Sequence, residues 1–307
     1  MTNALPSAIL RRTGLTVTRL GYGAMELRGT RIWNGRPVTD GQAGTILNAV
    51  LDAGINLIDT ANDYGLSEEL IGKHISHRRS DYYLATKCGC HVTRRDENTD
   101  DTPHIWTREN LMRNLHESLQ RLKTDYLDVM QLHNPSVEQC EEGDLVRVLQ
   151  DMREQGKVRW IGVSTTLPDL PTYLGWGVFD TFQIPYSALE RRHERWISRV
   201  AEAGASAIIR GAAARGEPGE GRGGAERWET FAQANLDDLL EHAESRTAFV
   251  LRFTLTHPHI HTIIVGTLRP EHLAENIEAV ARGPLPPDVY AEAKRRLDAA
   301  GVAPDQA

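Results

Sequence analysis

The sequence predicts a (β/α)8 barrel, a TIM barrel, with an N-terminal β-hairpin closing its bottom. Three observations carry that prediction. Eight strand-like segments alternate with helical patterns over about 260 residues, the count and length of such a barrel. Several of the strands are continuous apolar runs, as parallel strands buried on both faces should be. Ionisable residues stand at the C-terminal ends of consecutive strands, the face where such barrels place their chemistry. The competing architecture is a doubly wound open sheet. It would want Gly-x-Gly-x-x-Gly after its first strand, and Gly21-Tyr22-Gly23-Ala24-Met25-Glu26 lacks the third glycine.

In chain order, residues 8–18 set two short alternations around Gly14 and read as the hairpin. The strand candidates are 19–23, 55–58, 82–86, 126–132, 158–163, 179–184, 206–209 and 262–265. Apolar stripes at helical spacing separate them. Ile46, Leu47, Val50 and Leu51 form one, Leu111, Leu115, Leu119 and Leu122 another, and Leu145, Val148, Leu149 and Met152 a third. Ser67 and Thr107 are placed as N-caps, and Gly156 ends the third helix. Glu68 and Glu69 follow Ser67, where the helix dipole favours negative charge. Loops 91–106 and 211–226 read as lids over the strand-end face or as plain surface; the second holds glycines 211, 216, 219, 221, 223 and 224. The tail, 283–307, is Pro-rich and then helical around Tyr290 to Leu297. No linker interrupts the chain, so residues 1–307 read as a single barrel domain.

Composition narrows the function. Apolar content of 40% and charged content of 25% are those of a soluble globular chain. A net charge of −7 disfavours nucleic-acid or anionic-membrane partners. No apolar run approaches the ~20 residues of a membrane span, and Met1 to Arg12 carries no signal-peptide core. Three cysteines make no even disulfide framework, so the expected compartment is a reducing cytoplasm.

Four titratable residues mark the chemistry. The second strand ends at Asp59, with Tyr64 on its loop; the third ends at Lys87 and the fourth at His133. Neighbouring strands bring these ends together. A strand-end Asp or Lys taken singly is usually a satisfied ion pair, and it is the joint occurrence that points to function. Lys87 inside a pocket needs a partner, and Asp59 is the natural one. A lysinium beside Tyr64 should lower a phenol pKa that starts near ~10 and so make Tyr64 a proton donor near neutral pH. His133 is placed to hydrogen-bond a substrate oxygen. The set suits proton delivery to an oxygen becoming an alkoxide, as in carbonyl reduction.

The chain resembles the aldo-keto reductases over roughly residues 9–282. Residues 59–68 reproduce that family's Asp-Thr-Ala-x-x-Tyr-Gly followed by Ser-Glu. Ala85-Thr86-Lys87, Asp128 to His133 and Gly156 to Ser164 also match. The resemblance implies metal-independent hydride transfer between a nicotinamide and an aldehyde or ketone, with Tyr64 as acid, Lys87 and Asp59 tuning it, and His133 orienting the carbonyl. It implies a cofactor set of Gly23, Ala24, Met25, Ser164, Thr165, Gln183, Tyr186, Arg210, Gly211, Arg215, Gly266, Thr267, Arg269, His272, Glu275 and Asn276. Within it, Gln183 matches the residue that binds the carboxamide and Tyr186 the ring-stacking aromatic. Thr165 stands where the family usually has Asn. Arg210 to Gly216 replaces the usual aromatic-Ser-Pro-Leu-Gly and offers two arginines to phosphate. Pro270 opens a helix whose N-terminus is a ready anion site, and Arg269 beside it favours NADPH (NADP+) over NADH.

Two other readings are set against this one. A cofactor-binding regulatory protein could keep the barrel and turn over weakly; the intact tetrad argues against it. A biosynthetic enzyme acting on a sugar or other natural-product carbonyl is compatible with the unusual 210–216 segment. Cys88-Gly-Cys90 with His91 lacks a second ligand pair at zinc spacing and reads as free thiols, with no metal expected. His257, His259 and His261 precede the last strand and so fall at the barrel bottom. Substrate and oligomeric state stay open.

Overall fold

The structure, a computed structural model, describes residues 5–219 and 223–307. Gly221 of the glycine-rich loop and the first four residues of the N-terminal segment lie outside the described residues. In chain order the strands are β1 (Ser7–Leu10), β2 (Leu15–Thr18), β3 (Leu20–Gly23), β4 (Leu57–Asp59), β5 (Tyr83–Cys88), β6 (Thr93–Arg94), β7 (Asp100–Asp101), β8 (Leu127–His133), β9 (Val158–Ser164), β10 (Thr181–Pro185), β11 (Ser206–Arg210) and β12 (Thr262–Val265). β3, β4, β5, β8, β9, β10, β11 and β12 follow one another around a closed barrel, all parallel, and β12 returns to β3. Each barrel strand is buried along almost its whole length, as parallel strands covered by helices must be.

The hairpin β1–β2 turns through a short 3-10 segment, Arg11–Thr13, and Gly14. Leu10 and Val17 project from it into a cluster with Leu57, Ile208 and Ile264, which plugs the N-terminal end of the barrel. The main core lies between strands and helices, where the stripes on Asp40–Asp52, Arg108–Leu122 and Leu145–Glu154 are buried as the spacing requires. The C-terminal helix, Pro287–Ala299, is held by Arg191, whose guanidinium donates to Asp298 Oδ1 at 2.7 Å and to the carbonyls of Lys294 and Val302.

Two local expectations are corrected. Ser67 is the first residue of the helix Ser67–His74 rather than its cap. Its hydroxyl is drawn away to donate to Ala24 O at 3.0 Å and to meet Thr60 Oγ1 at 2.9 Å. Loop 91–106 is not plain coil: β6 and β7 pair as a small hairpin, and Arg31 Nε donates to Asp100 Oδ2 at 2.8 Å, tying it to the loop after β3. Thr107 does cap the helix Arg108–Leu122, accepting from Asn110 N. Gly156, with φ +72°, follows the end of Leu145–Glu154. Among the described residues no helix is long and apolar enough to cross a membrane.

Candidate active site

The turn after β4 carries the first group. Asp59 ends the strand and Tyr64 sits on the turn, which closes through Tyr64 N to Ala61 O and Ser67 N to Tyr64 O. The turn can run this close to Arg28 only because Gly65 has no side chain: its φ is +45°, and a Cβ there would stand 2.2 Å from Arg28 O. Lys87 comes from β5, with its Nζ 2.6 Å from Asp59 Oδ2 and 2.8 Å from Thr60 O. The same ammonium lies 5.0 Å from the centre of the Tyr64 ring. His133 ends β8, its ring 6.0 Å from that of Tyr64. Trp33 closes the other side of Tyr64 at 5.9 Å. All four groups expected from the strand ends therefore share one pocket.

Asp59, 2% exposed, is fully engaged. Gln183 Nε2 donates to its Oδ1 at 2.7 Å and Gln131 Nε2 at 3.1 Å, while Lys87 takes Oδ2. A buried carboxylate with three donors is the state in which burial is tolerated. Burial pulls the Lys87 pKa down, but the attraction of Asp59 outweighs it and leaves the ammonium above its ordinary value. The expectation for Tyr64 is overturned in sign. Burial pushes its phenol up to about 12, Lys87 pulls it only part of the way back, and Asp59 and Asp63 push it further up. Tyr64 is a protonated phenol across the neutral range, with a cation close by to stabilise charge left on it.

The cofactor positions fall into three groups. Ser164 Oγ donates to Asn134 Oδ1 at 3.0 Å, and Thr165 N to Gln183 O at 3.1 Å, so Ser164, Thr165 and Gln183 adjoin at the ends of β9 and β10. Asn134 is a residue sequence reasoning missed; it supplies a side-chain amide beside Ser164, next to the position where Thr165 replaces the expected Asn. Gly23, Ala24 and Met25 lead from β3 into the 3-10 segment Ala24–Arg28, across from Gly266 at the end of β12. At the third group, Thr267 Oγ1 accepts from Arg269 N at 3.0 Å, and the helix Pro270–Ala281 begins with no side-chain cap. Arg269, His272, Glu275 and Asn276 follow one face of its first turns; Arg269 is exposed and Asn276 buried.

Tyr186 is the position the structure does not bring to the mouth. It is 0% exposed, its hydroxyl donates to Glu194 Oε2 at 3.3 Å, and Phe253 and His257 pack against its ring. It has no face left for a planar heterocycle and is a core residue. Arg210, at the end of β11, instead looks into the pocket. Burial lowers its guanidinium pKa, Tyr64 and Asp59 act on its charge, and its Nε is buried without a hydrogen-bond partner. Gly211 and Arg215 continue outward from it, Arg215 exposed.

The three cysteines are free thiols, as the sequence leads one to expect. Cys88 donates to Gln131 O, and Cys140 is packed into the main core. Cys90 Sγ lies 3.1 Å from His133 Nδ1, and Asp63 Oδ1 lies 3.4 Å from the same nitrogen. Burial raises the Cys90 thiol and the neighbouring Asp63 raises it further. Burial would raise Asp63 as well, but His133 outweighs it and holds the carboxyl below its ordinary value. The sequence drew attention to Cys90 only together with Cys88 and His91; its meeting with Asp63 and His104 was not legible, because it depends on how loop 91–106 folds back.

An uncapped helix N-terminus with an exposed arginine, and a half-buried guanidinium whose Nε has no partner, fit a dinucleotide with an anionic diphosphate. A model of the aldo/keto reductase family matches residues 19–297. The uncharacterized oxidoreductase YqkF of Bacillus subtilis is 27% identical over 88% of this chain and 89% of its own length. The NADH-specific methylglyoxal reductase of Escherichia coli is 27% identical over 88% and 92%. Among solved structures, aldo-keto reductase AKR11C1 of Bacillus halodurans superposes with a TM-score of 0.82 at 28% identity, covering 98% of both chains. With this barrel, these strand ends and a match over nearly its whole length, the chain belongs to the aldo/keto reductase family and is an oxidoreductase of the nicotinamide-dependent, carbonyl-reducing kind.

Proposed function

We propose that the protein reduces an aldehyde or ketone using NADPH, with Tyr64 as the general acid. The observation that carries the reading is the convergence of Tyr64, Lys87, Asp59 and His133 in one water-poor pocket, with Lys87 Nζ 2.6 Å from Asp59 and 5.0 Å from the Tyr64 ring. Bound nicotinamide supplies the hydride. Tyr64 donates its proton to the carbonyl oxygen as negative charge grows there, which suits a phenol held at about 12 that is fully protonated beforehand. Lys87 faces the phenolate left behind, and Asp59 keeps Lys87 in place. The ring of His133 orients the carbonyl from the opposite side. Ser164, Asn134 and Gln183 offer the polar side chains for a carboxamide, and Arg210, Arg215 and the start of Pro270–Ala281 offer the cations and free N–H groups for phosphates.

Arg269 favours NADPH: its side chain makes no hydrogen bond or ion pair among the described residues and stands at the helix N-terminus, free to meet a 2′-phosphate. A relative named for NADH makes this the point to test first. Fluorescence titration with each cofactor is expected to give NADPH the lower Kd. Arg269→Ala should weaken NADPH about tenfold while moving NADH about twofold or less, the loss of one charge-assisted contact. Equal weakening of both would remove Arg269 as the reader of that phosphate. Tyr64→Phe should lower kcat by ~10²–10⁴-fold with cofactor Kd little changed, and near-normal turnover would refute Tyr64 as the acid.

A further inference from the structure

From the geometry around Cys90 we infer a metal site: Asp63, Cys90, His104 and His133 form a four-ligand site for Zn2+ or a similar borderline-soft divalent ion. One ligand atom from each lies within 4.8 Å of every other, and they are the one such group among the described residues. The inference goes beyond the reductase reading and does not depend on it.

The fold builds this site from three strand ends and one returning loop. Asp63 comes from the turn after β4, Cys90 from just past β5, and His133 from the end of β8. His104 returns across Cys90 through an antiparallel bridge, flanked by His91 N to Pro103 O at 2.7 Å and Ile105 N to Gly89 O at 2.8 Å. Gly89, at φ +115°, makes the turn, and Trp106 fills the space its missing side chain leaves. Asn110 Nδ2 secures both sides, donating to Gly89 O and Ile105 O. The ring of His104 stacks on Trp106 at 5.2 Å and stands edge-on to His133 at 5.6 Å.

Two observations point to a cation rather than a hydrogen-bonded network. Asp63 is fully buried, and its carboxylate oxygens lie against the His133 ring, 3.4 Å from Nδ1, and the Cys90 thiol without a well-formed hydrogen bond to either. Moreover, Cys90 Sγ and Asp63 Oδ1 both approach the same nitrogen, Nδ1 of His133, at 3.1 and 3.4 Å. A single ring nitrogen serves one of them as donor or acceptor, not both. A nucleophilic thiol–imidazole–carboxylate triad would place thiol and carboxylate on opposite ring nitrogens. Ligands that crowd one another in this way are the arrangement of a coordination sphere. A tetrahedral zinc site has ligand–ligand edges of roughly 3.3–3.7 Å, so the widest separation needs to close by only about 1 Å.

Thiolate, imidazole and carboxylate ligands together select Zn2+ over Mg2+ or Ca2+. Four protein ligands close the shell, so the ion has no open position for substrate and acts structurally. It pins loop 91–106 against the barrel. If the Proposed function holds, it also fixes the proton of His133 on Nε2, the edge turned away from the ion.

Elemental analysis of untagged, dialysed protein is expected to find about one zinc per chain. Cobalt-loaded protein should show a thiolate-to-Co2+ charge-transfer band. Cys90→Ser should abolish that band and lower zinc content at least tenfold, while Cys140→Ala leaves both unchanged. His104→Gln, at the exposed end of the cluster, should lower zinc content likewise with the fold intact by circular dichroism, which keeps the test valid if Cys90→Ser misfolds. Absence of the band in Co2+-loaded wild type, or a band and zinc content that survive both substitutions, would overturn the site. Neither readout requires turnover, so failure of the reductase reading leaves this test standing.

Discussion

At the scale of single residues, the pocket balances buried charge against buried donors. Lys87 and Asp59 are both almost fully enclosed, and each is tolerated only because the other is there. Asp59→Asn keeps the shape but leaves the Lys87 ammonium uncompensated and puts an amide against the two glutamine amides that donate to Asp59. The expected cost is about 3–5 kcal/mol of unfolding free energy, read from urea denaturation at neutral pH. A loss below about 1 kcal/mol would mean that Lys87 is neutral in the fold or reaches water. The tetrad was legible in the sequence because each member ends a strand or begins the turn after it, and barrel topology makes neighbours of consecutive strand ends. The direction of the Tyr64 shift was not legible. A cation nearby can be read from the order of strands, but the enclosure of Tyr64 by Trp33 and His133 comes from loops that sequence does not position. Tyr186 failed for the same reason: the motif Gln-Ile-Pro-Tyr places an aromatic past a strand end, and only the packing of Phe253 and His257 reveals that it turns into the core.

At the scale of elements, barrel strands announced themselves by apolar continuity and helices by their stripes, because each buries a full face. β6 and β7 did not. Each is two residues long, too short for a periodic signal, and they are stabilised by partners distant in sequence such as Arg31 on Asp100. Ser67 shows the limit of capping rules: the helix already includes it, with Leu66 in helical conformation at the cap position, and its hydroxyl donates to Ala24 O instead. The returning loop depends on Gly89. Gly89→Ala would place a methyl 1.9 Å from Trp106 at a φ of +115°, where an L side chain is strained. The expected outcome is a loss of about 1–3 kcal/mol in stability together with faster amide exchange over residues 91–106, measured by hydrogen exchange. Exchange confined to the glycine's immediate neighbours would show that the loop is held by Arg31 and the β6–β7 pairing instead.

At the scale of the whole molecule, the two ends of the barrel divide the work. The Asp59, Tyr64, Lys87 and His133 cluster gathers at the C-terminal strand ends, while the N-terminal end is closed by the hairpin plug and a histidine-bearing turn. The reading of His257, His259 and His261 as a bottom feature agrees with where that turn lies, and two of the three are tied into backbone. His257 Nε2 meets Glu194 O at 3.2 Å and its Nδ1 accepts from His259 N. His261 Nδ1 accepts from Ala207 N at 3.2 Å. Protonating either imidazole at Nδ1 forfeits the accepted bond, and burial adds to the penalty; both pKa values are lowered to about 4, first by burial and, for His261, next by Arg11. The sign follows from proton uptake. Between about 4 and the unfolded value near ~6.5, the unfolded chain binds more protons than the folded one, so stability rises with pH across that window. The fold is at full strength above ~6.5 and weakens progressively as pH falls toward 4, by up to about 3 kcal/mol for each histidine. Urea midpoints measured at intervals from pH 7.5 to 4.5 should therefore decline. The decline should be shallower in His261→Gln, which keeps a neutral acceptor for Ala207 N and removes one titrating group. An equally steep decline in that variant would place the acid sensitivity outside His261.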